Sequence, residues 1–520
     1  MASHARQTSK TTLLLPLAIA LGVFFLFQLF LLNNVSIAQY DESIYLDVAR
    51  NIRESGLPLR SVDLDGRFYF EHLPGYVYLA AGLTTLFGEN TLLLRLVTTL
   101  FGAGSVTLVY LIGLRAQDTV AGFVAALLLA LNSFFATYAY FIREEVFFTF
   151  FILLASYFLL RLGQTEKNRY LLAAGLAIGV AFLLKEIALA FLAAAAIYIF
   201  FFLRVPVKWP DWRGRITAVF VLSLPALTGL VAWLLWANSL DAAQLQLTLD
   251  RWLGTGTGIV DPRIGVAAGA WLETVVKFVF GWELVILLGF ALLYALVRRR
   301  KPPQIAALFL LYLGVALGAS FVMNLKEMRH LMALIPSVCL IIGLLLPWSS
   351  WWAWLNEDRR RLLLAAPLAL LFLLSASPLK LPASGSWRDP ASYWDPISWW
   401  DPIYAGRLLA NDDALALVKE AGEYLATAEP RDGLITVVRQ GPIVGYYAAR
   451  PYLFLFPRPF EENMDILSRS DYVVVDAVEF WQQTPEQTEI VLQYIDDNFT
   501  IDQILQDGSG QVTIYRRNSE

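Results

Sequence analysis

The sequence predicts a mainly α, polytopic membrane protein with a small α/β domain at its C-terminal end. Three observations carry that reading. Of 520 residues, 57% are hydrophobic and only 16% charged, whereas soluble domains sit nearer half apolar and a quarter charged. Apolar runs of about 20 residues recur through the chain, and helices satisfy their own backbone in lipid. The alternating pattern of an outer-membrane barrel is absent. Beyond residue 411 the pattern changes to short strands between charged helices. The single cysteine, Cys339, lies in an apolar run, so neither an intrachain disulfide nor a thiolate metal centre is expected.

Taken in order, the apolar runs give about eleven spans, near 13–32, 92–114, 119–139, 146–162, 170–184, 187–204, 216–237, 276–297, 304–322, 331–348 and 361–376. The first is too long for a signal-peptide core and lacks a small-residue cleavage site, so it reads as a retained span. Residues 73–87 are apolar but short, opened by Pro74-Gly75 and closed by Gly88-Glu89-Asn90. That length suits a re-entrant or interfacial helix. Conversely, Tyr170 to Val205 is too long for one helix, and Lys185-Glu186 inside it marks a tight surface turn.

Orientation follows from the basic residues. With His4, Arg6 and Lys10 inside and 73–87 not spanning, Arg115, Arg161 to Arg169, Arg204 to Arg215, Arg298 to Lys301 and Arg359 to Arg361 all fall inside. A spanning 73–87 would put every later cluster outside. Lys and Arg bias in short loops sets orientation. The reading is therefore a multi-pass plasma-membrane protein of prokaryotic type, its N-terminus cytoplasmic. The outer face receives Asp41-Glu42, Glu71-His72, Arg143-Glu144-Glu145, Lys185-Glu186 and Lys326-Glu327-Met328-Arg329-His330.

The expected division is a membrane catalytic domain over 1–377, with external loops at 33–91 and 239–275. A Trp-rich connector over 378–410 and an extracytoplasmic α/β domain over 411–520 follow. The second loop carries Gly254-Thr255-Gly256-Thr257-Gly258, either a mobile flap or a plain flexible connector. The Trp- and Asp-Pro-rich connector reads as an interfacial belt ahead of a sugar-stacking platform. In the last domain the pattern predicts a helix over 412–428, strands at 434–438, 451–456 and 472–476, a helix opened by Gly441-Pro442, and a hairpin near 501–505 and 512–516. It contains no phosphate-loop or dinucleotide fingerprint. An accessory lid or docking role is expected for it, with no nucleotide cofactor and no nucleic-acid partner.

The outer-face charges carry the chemistry. Asp41-Glu42 opens a segment with Ile44, Tyr45, Val48 and Ile52 at helical spacing, read as an amphipathic helix lying in the interface. Acids at a helix N-terminus are favoured by the dipole alone. That explains one acidic residue, but not the recurrence of acids as Glu144-Glu145. Such carboxylates suit deprotonation of an acceptor or a share in holding a divalent cation. Glu71-His72 is a further ligand pair without a second fixed partner, and His72 could equally be an interfacial histidine. Arg143, Lys185, Lys326 and Arg329 sit at outer helix ends where basic residues are few. They suit a lipid phosphate, or else ion pairs with their sequence neighbours Glu144, Glu186 and Glu327.

The stretches YDESIYLDVARNIRESG from Tyr40, FEHLPGYVYLA from Phe70, FIREEVFFTFFILLASYFLLRL from Phe141, GVAFLLKEIALAFL from Gly179 and MRHLMALIPSVCLIIG from Met328 resemble, in order and spacing, GT-C glycosyltransferases. The branch they resemble is that of the protein O-mannosyltransferases and aminoarabinose (lipid A) transferases. The resemblance implies a GT-C fold and a polyprenyl-phosphate sugar donor used on the outer leaflet. It also implies a hexosyl or pentosyl transfer to a protein, lipid or glycan acceptor among membrane lipids. It maps the family's catalytic carboxylate onto Asp41 and its second external acid onto Glu145, where many relatives have Asp. It puts Lys185 and Arg329 near the lipid phosphate. Glu42, Glu71, His72, Glu144 and His330 remain supporting groups or ligands of an optional divalent metal. The mechanism implied is a single displacement, inverting if no enzyme intermediate forms. A transporter or flippase of lipid-linked glycans is the alternative, but it would place charge along a path through the bilayer and often show internal repeats. A glycan polymerase or ligase would share every feature above.

Overall fold

The computed structural model describes residues 10–31, 40–61, 67–203, 212–253, 275–299, 301–322, 328–356, 416–431, 433–438, 440–455, 460–476, 485–507 and 510–518. The expected span at 361–376, the connector, the glycine run at 254–258 and Lys326 lie outside these residues.

The first apolar run forms helix α1, Lys10–Leu31. It is followed by α2, Tyr40–Ser55, a short hairpin of β1 (Leu59–Arg60) and β2 (Arg67–Phe68), and the short apolar helix α3, Gly75–Phe87. Helix α2 is more enclosed than an amphipathic pattern alone requires: Glu42 to Ala49 are all buried, packed against α3 on one side and the C-terminal domain on the other. Its amphipathic pattern thus marks two protein contacts.

Helix α4 (Thr91–Ala116) opens on an Asn90 cap, whose side chain accepts from the Leu93 N–H. The expected span at 119–139 is broken in two. Asn132 ends α5 (Thr119–Leu131) and caps α6 (Ser133–Tyr138) by accepting from the Phe135 N–H, while its amide donates to the Val279 carbonyl. A side chain that can both stop and start a helix punctuates an otherwise continuous apolar run. Helices α7 (Glu144–Thr165), α8 (Arg169–Leu184), α9 (Ala188–Ile197, extended by a π-turn Tyr198–Phe202) and α10 (Trp212–Leu240) follow. Then come α11 (Ala242–Leu253), α12 (Trp282–Val297), α13 (Gln304–Val322), a 3₁₀ turn at Met328–Leu331, α14 (Leu334–Leu345) and α15 (Trp348–Asn356). Helices α4 and α5 approach at Gly113 and Gly122, where a Cβ on either would meet the other's backbone; small residues permit such close helix contacts.

Among the described residues three helices are long and apolar enough to cross a membrane: α4, α7 and α10. Arg329–Leu345 with Trp348–Trp354, bent by 55°, makes a fourth if counted as one span. The expected count of about eleven is not reproduced by length alone. Several runs, α5, α8 and α12 among them, form helices of 13–16 residues.

In the C-terminal part the expected strands and first two helices are present, joined by two helices that the sequence pattern does not predict, Phe460–Arg469 and Pro485–Asn498. Helix α16 (Ala416–Leu425), strand β3 (Ile435–Val437), helix α17 (Gly441–Ala448), strand β4 (Tyr452–Phe454), helix α18 (Phe460–Arg469), strand β5 (Tyr472–Val475), helix α19 (Pro485–Asn498) and the hairpin β6–β7 (Phe499–Asp507, Gly510–Arg517) build one five-stranded sheet. Its order is β4-β3-β5-β7-β6, with β3 parallel to β4 and β5 and the hairpin antiparallel. Alternation assigns the two faces. Ile435 and Val437 join a core with α16 and α17, while Leu434 and Val438 join one with α18 and α19. The first core also contains Leu46 of α2, Leu94 of α4 and Ile142, so the domain seats its α17 face directly on the membrane part.

Candidate active site

Asp41 and Glu42 occupy consecutive positions in the first turn of α2, and consecutive helical side chains diverge by about 100°. They therefore serve different surroundings. Glu42 turns inward and is fully buried. It pairs with Arg95 of α4 at 3.2 Å and accepts the Ile142 N–H at 2.8 Å. Arg95 donates onward to the Tyr140 hydroxyl at 3.2 Å and lies over that ring at 4.6 Å. Glu42 thus staples the chain at 140–142 to α2, which brings the next residue, Arg143, beside Asp41.

Asp41 is the hub that results. Arg143 Nη2 lies 2.8 Å from its Oδ2, and Arg329, from the 3₁₀ turn at Met328–Leu331, also donates to Oδ2. Arg143 sits in extended conformation just before α7, whose first turn carries Glu144 and Glu145. Its guanidinium forks onto Glu145 through Nε at 3.1 Å and Nη2 at 3.2 Å. Lys185, at the end of α8, donates to Glu144 at 2.9 Å and to Glu145 at 2.8 Å. Arg329 Nε is 3.9 Å from Glu145. Three acids and three bases drawn from α2, α7, the α8–α9 turn and the 328–331 turn thus form one charge-balanced network. Five of these residues were candidates from sequence for catalysis or phosphate binding, and Glu144 was a supporting candidate.

The expected surface turn at Lys185-Glu186 needs correction: the turn exists, but Lys185 is buried. The alternative of ion pairing with sequence neighbours is corrected for Lys185 and Arg329, while Arg143 does pair with its near neighbour Glu145 and Lys326 and Glu327 lie outside the described residues. Lys185 pairs with Glu144 and Glu145, and Arg329 with Asp41, both from distant segments. Of the supporting candidates, Glu71 pairs with Arg60 at 2.6 Å, within its own loop. His72 pairs with Glu186 at 3.2 Å, beside Lys185 in sequence. His330 is buried in the same turn as Arg329. Burial alone would lower the His72 pKa, but the Glu186 carboxylate outweighs it and raises it; His72 in turn helps draw Glu186 down to about 2, against its own burial.

The expected optional metal finds no matching donor set. Among the described residues no three His, Cys, Asp or Glu converge as ligands, and Asp41, Glu144 and Glu145 are each already matched to Arg or Lys. A cation would compete with those bases for the same oxygens, so the described residues do not fit one.

Sequence reasoning missed Arg95, although the signal was available. A lone arginine near the start of an apolar span is expensive unless something inside the protein meets it. It also missed the contact between α17 and α2. Arg50 donates to the Tyr446 carbonyl at 3.2 Å, and Arg50 and Arg53 pair with Glu89 at 2.7 and 2.5 Å. The Tyr446 hydroxyl donates to Glu89 at 3.0 Å.

Residues 71–236 match the family described as dolichyl-phosphate-mannose-protein mannosyltransferase. That stretch contains Glu71, His72, Arg143, Glu144, Glu145 and Lys185. No curated protein matches the sequence. Among solved structures, ArnT from Cupriavidus metallidurans bound to undecaprenyl phosphate is similar over 98% of this chain and 98% of its own, with TM-score 0.62 and 14% identity. The oligosaccharyltransferase of Archaeoglobus fulgidus, tethered to an acceptor peptide, is similar over 98% of this chain and 74% of its own, with TM-score 0.57 and 14% identity. A structure of the same enzyme in complex with Zn and sulfate covers 96% of this chain and 73% of its own, with TM-score 0.54 and 14% identity. The fold is that of the GT-C glycosyltransferases, and the resemblance seen in the sequence is borne out.

Proposed function

From a GT-C glycosyltransferase fold with six matched charges gathered at the ends of its helices, we propose a membrane enzyme that moves a sugar from a polyprenyl-phosphate carrier to an acceptor on the extracytoplasmic face. One observation carries this most directly. Within a network otherwise sealed from solvent, Asp41 and Arg329 keep 23% and 18% of their side-chain surface. An acid and a base are thus presented side by side at the open edge. The transfer needs such a pair: a carboxylate to take the acceptor's proton and a guanidinium to meet the phosphate that leaves. The phosphate-bearing lipid named with ArnT and the match to a family named for dolichyl-phosphate-mannose support the donor class.

The proposed step is a single displacement. The acceptor's oxygen or nitrogen attacks the anomeric carbon, and its proton passes to Asp41. The bond from that carbon to the phosphate oxygen breaks, and polyprenyl phosphate departs. Glu145 and Glu144 hold Arg143 and Lys185 in place, and Arg143 in turn orients Asp41. Configuration inverts because no enzyme-bound sugar is formed. The acceptor class, protein, lipid or glycan, is set by surfaces beyond these six residues. The experiment is reconstitution in proteoliposomes with radiolabelled polyprenyl-phosphate hexose or pentose and a membrane extract as acceptor source. Label should transfer, and Asp41→Asn should reduce the rate about 10²- to 10⁴-fold, the usual scale for a lost general base. Full activity in that variant would remove Asp41 from the mechanism.

A further inference from the structure

The two open-edge residues of the network are bonded to each other, although the proposed transfer gives them separate partners. Asp41 Oδ2 receives both Arg143 Nη2 and Arg329 Nη1. Arg143 cannot easily leave: its side chain is 1% exposed, forked onto Glu145 and set 5.5 Å from the Tyr138 ring. Arg329 is held differently. It comes from a short 3₁₀ turn, its side chain is 18% exposed, and its second acid, Glu145, is 3.9 Å away. Of the two guanidiniums on Asp41, Arg329 is the one built to exchange.

We propose that Arg329 is a shared counter-ion that follows the reaction's negative charge, neutralising Asp41 at rest and the carrier phosphate as the sugar leaves. This rests on the function proposed above and names the regulation of that site. The charge balance is consistent with a move of this kind. A sugar phosphodiester carries one negative charge, and the monoester that leaves carries between one and two near neutral pH. During transfer one proton moves from acceptor to Asp41, so one negative charge disappears from Asp41 as one appears on the phosphate. An Arg329 fixed on Asp41 would stabilise the starting state more than the product, whereas an arginine that changes partner stabilises both. The carboxylate is thereby covered until an anionic carrier arrives to draw Arg329 away.

The test is binding of undecaprenyl phosphate to the full-length protein in nanodiscs, for the wild type, Asp41→Asn, Arg329→Gln and the double variant. Asp41→Asn imitates the protonated acid, so it should release Arg329 and tighten binding about tenfold, a common size for coupling between two sites. In the Arg329→Gln background the same change should gain nothing. Unchanged or weaker binding in Asp41→Asn overturns the proposal. So does a gain that persists without Arg329, because simple removal of a nearby negative charge would then explain it. A wild type that transfers sugar and binds the lipid yet shows no coupling refutes only the shared arginine. A wild type that neither binds the lipid nor transfers sugar refutes the donor class and this proposal together.

Discussion

At one end of the ionic network Arg143, Glu144, Glu145 and Lys185 keep between 1% and 3% of their side-chain surface; at the other, Asp41 and Arg329 keep 23% and 18%. The chemical groups are the same at both ends, and the difference is water. A carboxylate removed from water must be matched by charge and hydrogen bonds, and breaking such a pair leaves an uncompensated charge. The sealed end is therefore committed to its geometry. The wetter end can lose a partner at small cost, because solvent replaces what is lost. Rigid positioning and the proposed reactivity are thus divided between neighbours in one cluster.

The largest effect should separate these two ends. Glu145→Ala leaves Arg143 and Lys185 facing one another without their shared acid, and should lower stability by about 3–5 kcal/mol. Asp41→Asn should cost less than that, because Asp41 keeps 23% of its side-chain surface and Arg143 retains Glu145, while slowing transfer about 10²- to 10⁴-fold. Chemical denaturation of both variants in one detergent checks the contrast, and equal losses would erase it. Next in size is Gly75→Ala, at the start of α3. A Cβ there would run into the Leu183 carbonyl, two residues before Lys185, and overpacking of that kind costs roughly 1–3 kcal/mol. Its thermal midpoint should fall, and transfer should weaken with it, if the sealed end sets the site's geometry.

A smaller effect concerns the neighbouring pair, His72 and Glu186. His72 has a pKa raised above its ordinary 6.5, so its contribution is complete below 6.5 and is lost as pH rises through the raised value. Glu186 is drawn from 4.5 to about 2, so its contribution is complete above 4.5 and is lost as pH falls through about 2. The stability difference between wild type and His72→Gln should therefore be greatest between 4.5 and 6.5 and shrink on either side. A flat difference across a pH series of thermal melts would show that the pair contributes no charge interaction. Smallest is Tyr446→Phe, which removes one hydroxyl from Glu89 and should lower the unfolding free energy by about 1 kcal/mol.

Much of this was legible from residue order alone. The C-terminal strands were found because alternation over a few residues is a local signal, and the breakers Gly441-Pro442 sit beside it. The charges of the network were found because basic and acidic residues at the ends of apolar runs stand out in the sequence. Their pairing was not legible. Adjacent acids such as Asp41 and Glu42 look alike in sequence, yet the helix turns them to opposite duties. Arg95 and Glu42 are 53 positions apart and Tyr446 and Glu89 are 357 apart, so only the folded chain joins them. The protein contacts of α2 were hidden for the same reason: an apolar stripe states that a face is covered, not whether lipid or protein covers it.

Helix α2 carries Asp41 in its first turn and, nine residues on, the arginine that grips Tyr446 and Glu89. At 1.5 Å per residue those points are about 13 Å apart along one stiff rod. A tilt of about 5° pivoting at Arg50 would carry Asp41 through roughly 1 Å, a displacement of the size that can cost a catalytic group a hundredfold in rate. The same helix is thus held at one end by the C-terminal domain and at the other by the Glu42 staple, so the carboxylate's place depends on two anchors rather than one.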